Sequence, residues 1–124
     1  MIRSIREAIS ALKCDNVLEC FFGLNELEVL IYRCLVGKAM KIQEIAKEVG
    51  RGENAVYKSL QKLTACGLVF REKKCFECGG YYYVYRAVSP DKVAEEMKKE
   101  VKKLNERLLD AIGEFEKNFS NFRI

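Results

Sequence analysis

Residues 42–69 have the sequence IQEIAKEVGRGENAVYKSLQKLTACGLV, which predicts two short helices joined by a tight turn. In the first helix, apolar residues recur at steps of three and four, which places them on one helical face: Ile42, Ile45, Ala46 and Val49. Gly50 stands where a helix ends in a left-handed residue. The spacing resumes with Val56, Leu60 and Leu63 and stops at Gly67. A turn this short makes the helices cross steeply, as in a helix-turn-helix unit.

The flanking segments predict two helices before this unit, the first of them at the N-terminus, and a β-hairpin after it. Asn25 and Glu28 have the spacing of a capping box, and the helix that they open ends at Gly37. Two β-type runs, LVFREKK (68–74) and YYYVYRAV (81–88), flank CFECGG (75–80), which predicts a hairpin. A last helix is expected from Asp91 to about Phe119.

The C-terminal helix has apolar residues at steps of four, three, four, three and four, with charges between them: Met97, Val101, Leu104, Leu108, Ala111 and Phe115. This heptad-like stripe requires a partner surface. The predicted partner is the same helix of a second chain, and the alternative is packing against its own domain.

The predicted fold class is mostly α (α+β). It is a winged helix-turn-helix with a two-stranded wing and a long C-terminal dimerisation helix. The expected domains are an N-terminal helix and connector (1–23), the winged helix-turn-helix (24–88) and the dimerisation helix (89–124).

Three segments resemble one family of proteins: LNELEVLIYRCL (24–35), the helix-turn-helix stretch at 42–69, and the second wing strand with AVSPDKV (87–93) after it. The chain resembles the small archaeal TrmB-like and MarR-like transcription regulators that lack a sugar-binding domain. The match is best from Gly23 to Val88. This resemblance implies a homodimer that binds a pseudopalindromic operator.

The positive charge is concentrated on the helix-turn-helix and wing. The 124-residue chain has a net charge of +4, but residues 37–74 contain nine basic and four acidic side chains, a local +5. Residues 91–118 contain seven basic and eight acidic side chains. Attraction to DNA phosphates requires such a distribution. The alternative is a lysine-rich surface that serves only solubility.

Composition also bears on localisation. Hydrophobic residues make up 49% of the chain and charged residues 32%, which suits a well-solvated domain with its own core. No apolar run approaches the ~18 residues of a membrane span. A cytoplasmic protein without membrane contact is expected.

With Val56, Leu60 and Leu63 turned inward, the opposite face of the helix at about 52–65 is free to enter a DNA major groove. Asn54 and Gln61 suit adenine, and Lys58 suits guanine or phosphate. Basic wing residues would contact flanking DNA. The predicted DNA-binding set is Arg51, Gly52, Glu53, Asn54, Ala55, Tyr57, Lys58, Gln61, Lys62, Arg71, Lys73 and Lys74.

Six cysteines and no histidine are an unusual combination. Cys75 and Cys78 form a CxxC followed by glycines, a pattern typical of a zinc knuckle, although structural zinc needs four ligands. Cys14 and Cys20 are conceivable additional ligands. A second interpretation is a thiol switch, favoured by Lys73 and Lys74 nearby, and a third is a reduced pair without function. No other cofactor is expected.

These observations favour a sequence-specific, dimeric DNA-binding regulator. The alternative is a winged-helix protein-interaction module of the transcription machinery. A dithiol oxidoreductase is disfavoured because its CxxC would start a helix in a βαβ unit, and no histidine base is available. The sequence gives no indication of an effector ligand.

Overall fold

The computed structural model describes residues 5–13 and 16–120 and contains six helices and one hairpin within them. In chain order these are α1 (Ile5–Ala11), α2 (Val17–Phe22), α3 (Glu26–Leu35), α4 (Ile42–Val49), α5 (Glu53–Ala65), β1 (Val69–Cys75), β2 (Tyr81–Ala87) and α6 (Pro90–Ser120). The chain divides into two compact units, Met1–Ser89 and Pro90–Ile124. The predicted winged helix-turn-helix with a long C-terminal helix is confirmed.

The capping box before α3 is confirmed. The Asn25 side chain accepts a hydrogen bond from the Glu28 backbone N–H at 2.8 Å, and the Glu28 carboxylate accepts one from the Asn25 N–H at 2.8 Å. The two bonds satisfy N–H groups that lack helical partners. Glu28 is nevertheless buried, so its carboxylate also needs a partner from elsewhere in the fold.

The core of the first unit joins α3, α4, α5 and the base of the hairpin. Its fully buried side chains are Ile31, Leu35, Ile45, Val56, Leu60, Leu63, Leu68 and Val69. The Tyr32 hydroxyl reaches the end of the hairpin and donates to the Val88 carbonyl at 2.7 Å. Burial raises the pKa of Tyr32 because the charged phenolate would lose its hydration.

The hairpin pairs β1 and β2 antiparallel, from Val69 opposite Ala87 to Cys75 opposite Tyr81. An isolated bridge between Met40 and Tyr85 attaches the hairpin to the start of the helix-turn-helix. Its two backbone hydrogen bonds measure 3.1 and 2.8 Å. The wing is therefore anchored at its base beside the helices, while its tip extends outward.

The structure differs from the sequence predictions at several boundaries. The connector predicted within residues 1–23 contains the short helix α2. The first strand is shifted by one residue, and the second ends at Ala87 rather than Val88. The last helix starts at Pro90 rather than Asp91. Proline fits the first position of a helix because the backbone N–H that it lacks would have no helical partner there.

Helix α6 leaves most of its length exposed. Its exposed large apolar side chains are Val101, Leu104, Leu108, Leu109, Ile112, Phe115 and Phe119. The rings of Phe115 and Phe119 lie 4.7 Å apart, one turn along the helix. None of the described helices is long and apolar enough to cross a membrane.

Candidate nucleic-acid interface

The turn between α4 and α5 has the predicted geometry. Gly50 adopts φ 69°, and its N–H and that of Arg51 both donate to the Ala46 carbonyl, at 3.0 and 3.2 Å. Gly52 is the N-cap of α5, with extended backbone at φ −68° and no side-chain acceptor. The first N–H groups of α5 are therefore available to an anion such as a DNA phosphate.

Helix α5 has one buried and one exposed face, as predicted. Val56, Ser59, Leu60 and Leu63 are buried. The exposed side chains are Arg51 in the turn and Glu53, Asn54, Ala55, Tyr57, Lys58, Gln61 and Lys62 on the helix. Among the described residues, the side chains of Asn54, Lys58 and Gln61 have no ion pair or hydrogen bond. They are free to contact bases or phosphates.

Lys62 differs from the other predicted contacts because its ammonium already has two partners. Its Nζ lies 3.1 Å from Glu28 Oε1 and donates to the Gly23 carbonyl at 2.7 Å. Lys62 thereby supplies the counter-charge that buried Glu28 requires. In this conformation Lys62 fixes α5 to the start of α3, and its part in DNA binding stays a prediction.

The wing places two basic side chains over tyrosine rings. The Arg71 guanidinium lies 4.1 Å from the Tyr83 ring centroid, and the Lys73 ammonium lies 4.2 Å from the Tyr81 centroid. Cation–π stacking orders both side chains without neutralising their charge. Lys74 is different, since its ammonium pairs with Glu72 at 3.4 Å.

A groove of about 440 Å³ separates α5 from the wing and is lined in part by Tyr57, Gln61, Arg71 and Tyr85. A second, adjoining groove shares Tyr57, Arg71 and Tyr85 and extends to Lys41 and Gln43. The sequence pattern gave no indication that these last two residues belong to the interface. They precede or begin α4, and only the tertiary fold brings them beside the wing.

Cys75 and Cys78 lie at the tip of the wing, and both are exposed and unbridged. Cys75 ends β1, and Cys78 lies in a turn closed by a hydrogen bond from the Gly79 N–H to the Phe76 carbonyl at 3.3 Å. Gly79 and Gly80 adopt φ 102° and 84°.

A zinc site at this pair would need two further ligands. Within residues 5–13 and 16–120, no three His, Cys, Asp or Glu side chains are grouped to hold a metal. Cys20 is therefore not in such a group with the pair, and Cys14 lies outside the described residues. The two thiols do not by themselves fit tetrahedral zinc.

Cys34 is partly buried on α3. Burial and the nearby Glu48 carboxylate raise the pKa of its thiol. It is therefore more weakly ionised than an ordinary thiol, as expected for a cysteine that packs against the core.

These features define a winged helix-turn-helix transcription regulator. Residues 18–91 match the model of the family described as sugar-specific transcriptional regulator TrmB, and the chain belongs to this family. The predicted resemblance to TrmB-like regulators is confirmed. Membership of this family supports DNA binding, and it supports a role as a transcription regulator rather than as an enzyme.

Two curated relatives come from the archaeon Methanocaldococcus jannaschii. The uncharacterized protein MJ1503 is 37% identical over 93 residues, which cover 74% of this chain and 67% of the relative. The uncharacterized protein MJ1082 is 38% identical over 82 residues, which cover 65% and 68%.

Solved structures share the fold. A possible transcriptional regulator from Methanosarcina mazei aligns over 85% of this chain and 90% of its own, with TM-score 0.72 and 20% identity. The ST1889 protein of Sulfolobus tokodaii aligns over 79% and 93%, with TM-score 0.59 and 22% identity. At these identities the likeness concerns the fold alone.

Proposed function

We propose that this protein is a sequence-specific DNA-binding transcription regulator that acts as a homodimer. The observation that supports it best is the exposed polar face of α5, which lies beside a wing bearing two ordered cations. An α-helix with such a face fits a DNA major groove, and basic wing residues favour the flanking backbone.

Within this interface, Asn54 and Gln61 are proposed to read adenine and Lys58 to contact guanine or phosphate. Arg71 and Lys73 would bind phosphate or the minor groove. Stacking on Tyr83 and Tyr81 restricts both side chains before DNA arrives, which lowers the entropic cost of ordering them.

Dimerisation is proposed to occur through α6. Seven large apolar side chains on this helix are exposed by 39–62% in the single chain, and burying them against a second copy would remove this surface from water. A two-fold dimer presents two copies of α5, which fits a pseudopalindromic operator.

Cys75 and Cys78 are proposed to tune the wing by thiol chemistry. A small-molecule disulfide would accept two electrons and two protons from the pair, which closes a Cys75–Cys78 disulfide and releases two thiols. The closed loop would alter the wing tip and its approach to DNA. The dissociation constant of the DNA complex should differ between dithiothreitol and oxidised glutathione for the wild type. It should be the same in both for Cys75→Ser.

The regulator proposal is tested by selecting bound sequences from a random DNA pool. We expect enrichment of an inverted repeat, with the chain migrating at about twice its 14.3 kDa mass. Asn54→Ala with Lys58→Ala should erase the preference for the selected sequence. The matched control is Lys47→Ala, since Lys47 is exposed on α4 and outside the proposed contact set.

Equal discrimination by the double variant and the wild type would contradict the assigned reading face. Failure to enrich any sequence would instead favour the protein-interaction alternative. An enriched sequence without an inverted repeat would contradict the dimeric mode of binding.

A further inference from the structure

Large apolar side chains on α6 also form a second stripe, with a spacing other than the heptad-like one predicted from the sequence. Its members are Met97, which is half-buried, and then Val101, Leu104, Leu108, Ile112, Phe115 and Phe119. The steps are four, three, four, four, three and four, so that Ile112 replaces Ala111 in the stripe.

This spacing consists of two repeats of 11 residues, from 97 to 108 and from 108 to 119. A repeat of 11 residues over three turns gives about 3.67 residues per turn, close to that of a straight α-helix. Two such helices would pack with a slight right-handed supercoil rather than as a left-handed heptad coiled coil.

The spacing is also the same when it is followed in the reverse direction, with Leu108 at its centre. We propose that α6 pairs antiparallel with α6 of a second copy, with the two-fold axis at Leu108. This inference rests on the proposed homodimer and specifies its geometry.

Side-chain size supports the antiparallel arrangement. Across an axis at Leu108, every member of the stripe meets another member of the stripe. Met97 faces Phe119, Val101 faces Phe115, and Leu104 faces Ile112. Small or flexible side chains thus lie opposite the phenylalanines, an alternation that fills space between facing helices. In a parallel pair each phenylalanine would face its own copy, and Val101 would face Val101.

Charge supports the same arrangement. Residues 98–107 contain five basic and two acidic side chains, and residues 108–117 contain one basic and three acidic. Antiparallel pairing places the positive half against the negative half, whereas parallel pairing places like charges together. Lys98 and Lys102 border the stripe on the same side as Glu116, and none of the three has an ion pair within the described chain.

The arrangement has a geometric consequence for the dimer. Pro90 lies 18 residues before Leu108, so at 1.5 Å per residue the two Pro90 residues are ~54 Å apart along the rod. A parallel pair would hold them about 10 Å apart, the usual distance between packed helices. The antiparallel rod therefore attaches its two DNA-binding units at opposite ends.

Photo-crosslinking of the full chain tests the orientation directly. Benzoylphenylalanine replaces Val101, and the irradiated dimer band is isolated and digested with trypsin. We expect attachment to LLDAIGEFEK (108–117), which contains Ile112 and Phe115. The control position is Asp110, on the opposite face of α6, which should give little dimer product.

Attachment to residues 97–104 of the partner would overturn the antiparallel proposal and leave the dimeric regulator intact. A wild-type chain that stays monomeric during sizing would instead contradict the homodimer itself.

Charge reversal gives an independent readout. Lys98→Glu or Glu116→Lys alone should raise the dimer dissociation constant about 3- to 30-fold, since two symmetric pairs change sign at once. The double variant should restore it towards the wild-type value. Glu106→Lys, away from the stripe, is the control for helix charge. Absence of restoration, with helicity unchanged by circular dichroism, would overturn the proposed pairing.

Discussion

The ion pair between Lys62 and Glu28 allows stability and DNA binding to be separated on one helix. Lys62→Met keeps the apolar stem of the side chain and removes the ammonium. It leaves Glu28, which is 5% exposed, with only the Asn25 N–H as its hydrogen-bond donor. A buried carboxylate without its cation destabilises the folded state.

The size of this effect follows from the exposure of the two partners. Removing one partner of a fully buried ion pair costs about 3–5 kcal/mol, and an exposed pair is worth about 0.2–1 kcal/mol. The Lys62 side chain is 43% exposed and that of Glu28 is 6% exposed, so the pair lies between these limits. We expect a loss of about 2 kcal/mol in the free energy of unfolding, or a Tm lower by roughly 6–10 °C.

Urea denaturation followed by circular dichroism measures this loss, at one chain concentration because dimerisation would contribute to stability. The matched control is Lys58→Met on the exposed face of α5, which should change stability by less than about 0.5 kcal/mol. The two variants should rank in the opposite order in their effect on DNA affinity. Lys58→Met should weaken binding to the selected sequence by roughly tenfold or more, and Lys62→Met should weaken it less while the protein is folded.

The double variant Glu28→Gln with Lys62→Met replaces the unpaired buried carboxylate with a neutral amide, and it should regain part of the lost stability. If Lys62→Met and Lys58→Met were equally mild in urea, the assignment of Lys62 to the fold would be refuted. If Lys62→Met weakened DNA binding as strongly as Lys58→Met in the folded protein, the ammonium would leave Glu28 when DNA binds.

Three further outcomes are expected. Gly50→Ala should cost about 1–2 kcal/mol in urea denaturation because Gly50 adopts φ 69°, whereas Gly113→Ala inside α6 should not destabilise; equal effects would contradict the turn geometry. Because burial raises the pKa of Tyr32 in the folded state, stability should not depend on this group below its ordinary pKa of about 10 and should fall as the pH rises above that value. Tyr32→Phe should lessen this fall, which denaturation at pH 8 to 11 would measure. Lys58→Ala and Arg71→Ala should each flatten the dependence of log K on log salt by about one per protomer, and unchanged slopes in binding titrations would show that neither side chain contacts phosphate.

Local patterns predicted the parts of the fold that depend on nearby residues. Helical spacing identified the buried face of α5, and the Asn25–Glu28 spacing identified a cap that forms as expected. Both features involve residues within two turns of each other, where geometry follows from the backbone alone. The six-residue helix α2 was missed because its N-cap makes no side-chain hydrogen bond and its length shows little periodicity.

Contacts between distant residues could not be inferred in the same way. The exposed face of α5 was assigned correctly as a surface, yet Lys62 on that face bonds to Gly23 and Glu28, 39 and 34 positions earlier. Lys41 and Gln43 likewise border the wing only because the bridge between Met40 and Tyr85 draws it against the helices. Such neighbours depend on packing, which no local pattern encodes.

The count of nine basic side chains in residues 37–74 therefore overstates the number of cations available to DNA. Of the nine basic side chains in residues 37–74, Lys38, Lys62 and Lys74 are paired with carboxylates of the same chain. Four of the unpaired ones belong to the predicted interface: Arg51, Lys58, Arg71 and Lys73. If each protomer used all four on phosphates, the slope of log K against log salt would be about −7 for a dimer. A markedly steeper slope would mean that further cations contact phosphate, either unpaired Lys41 beside the wing or Lys62 and Lys74 released from their carboxylates. Lys41→Ala separates the two cases, because a slope that stays steep in this variant would show that the intramolecular pairs do not survive binding.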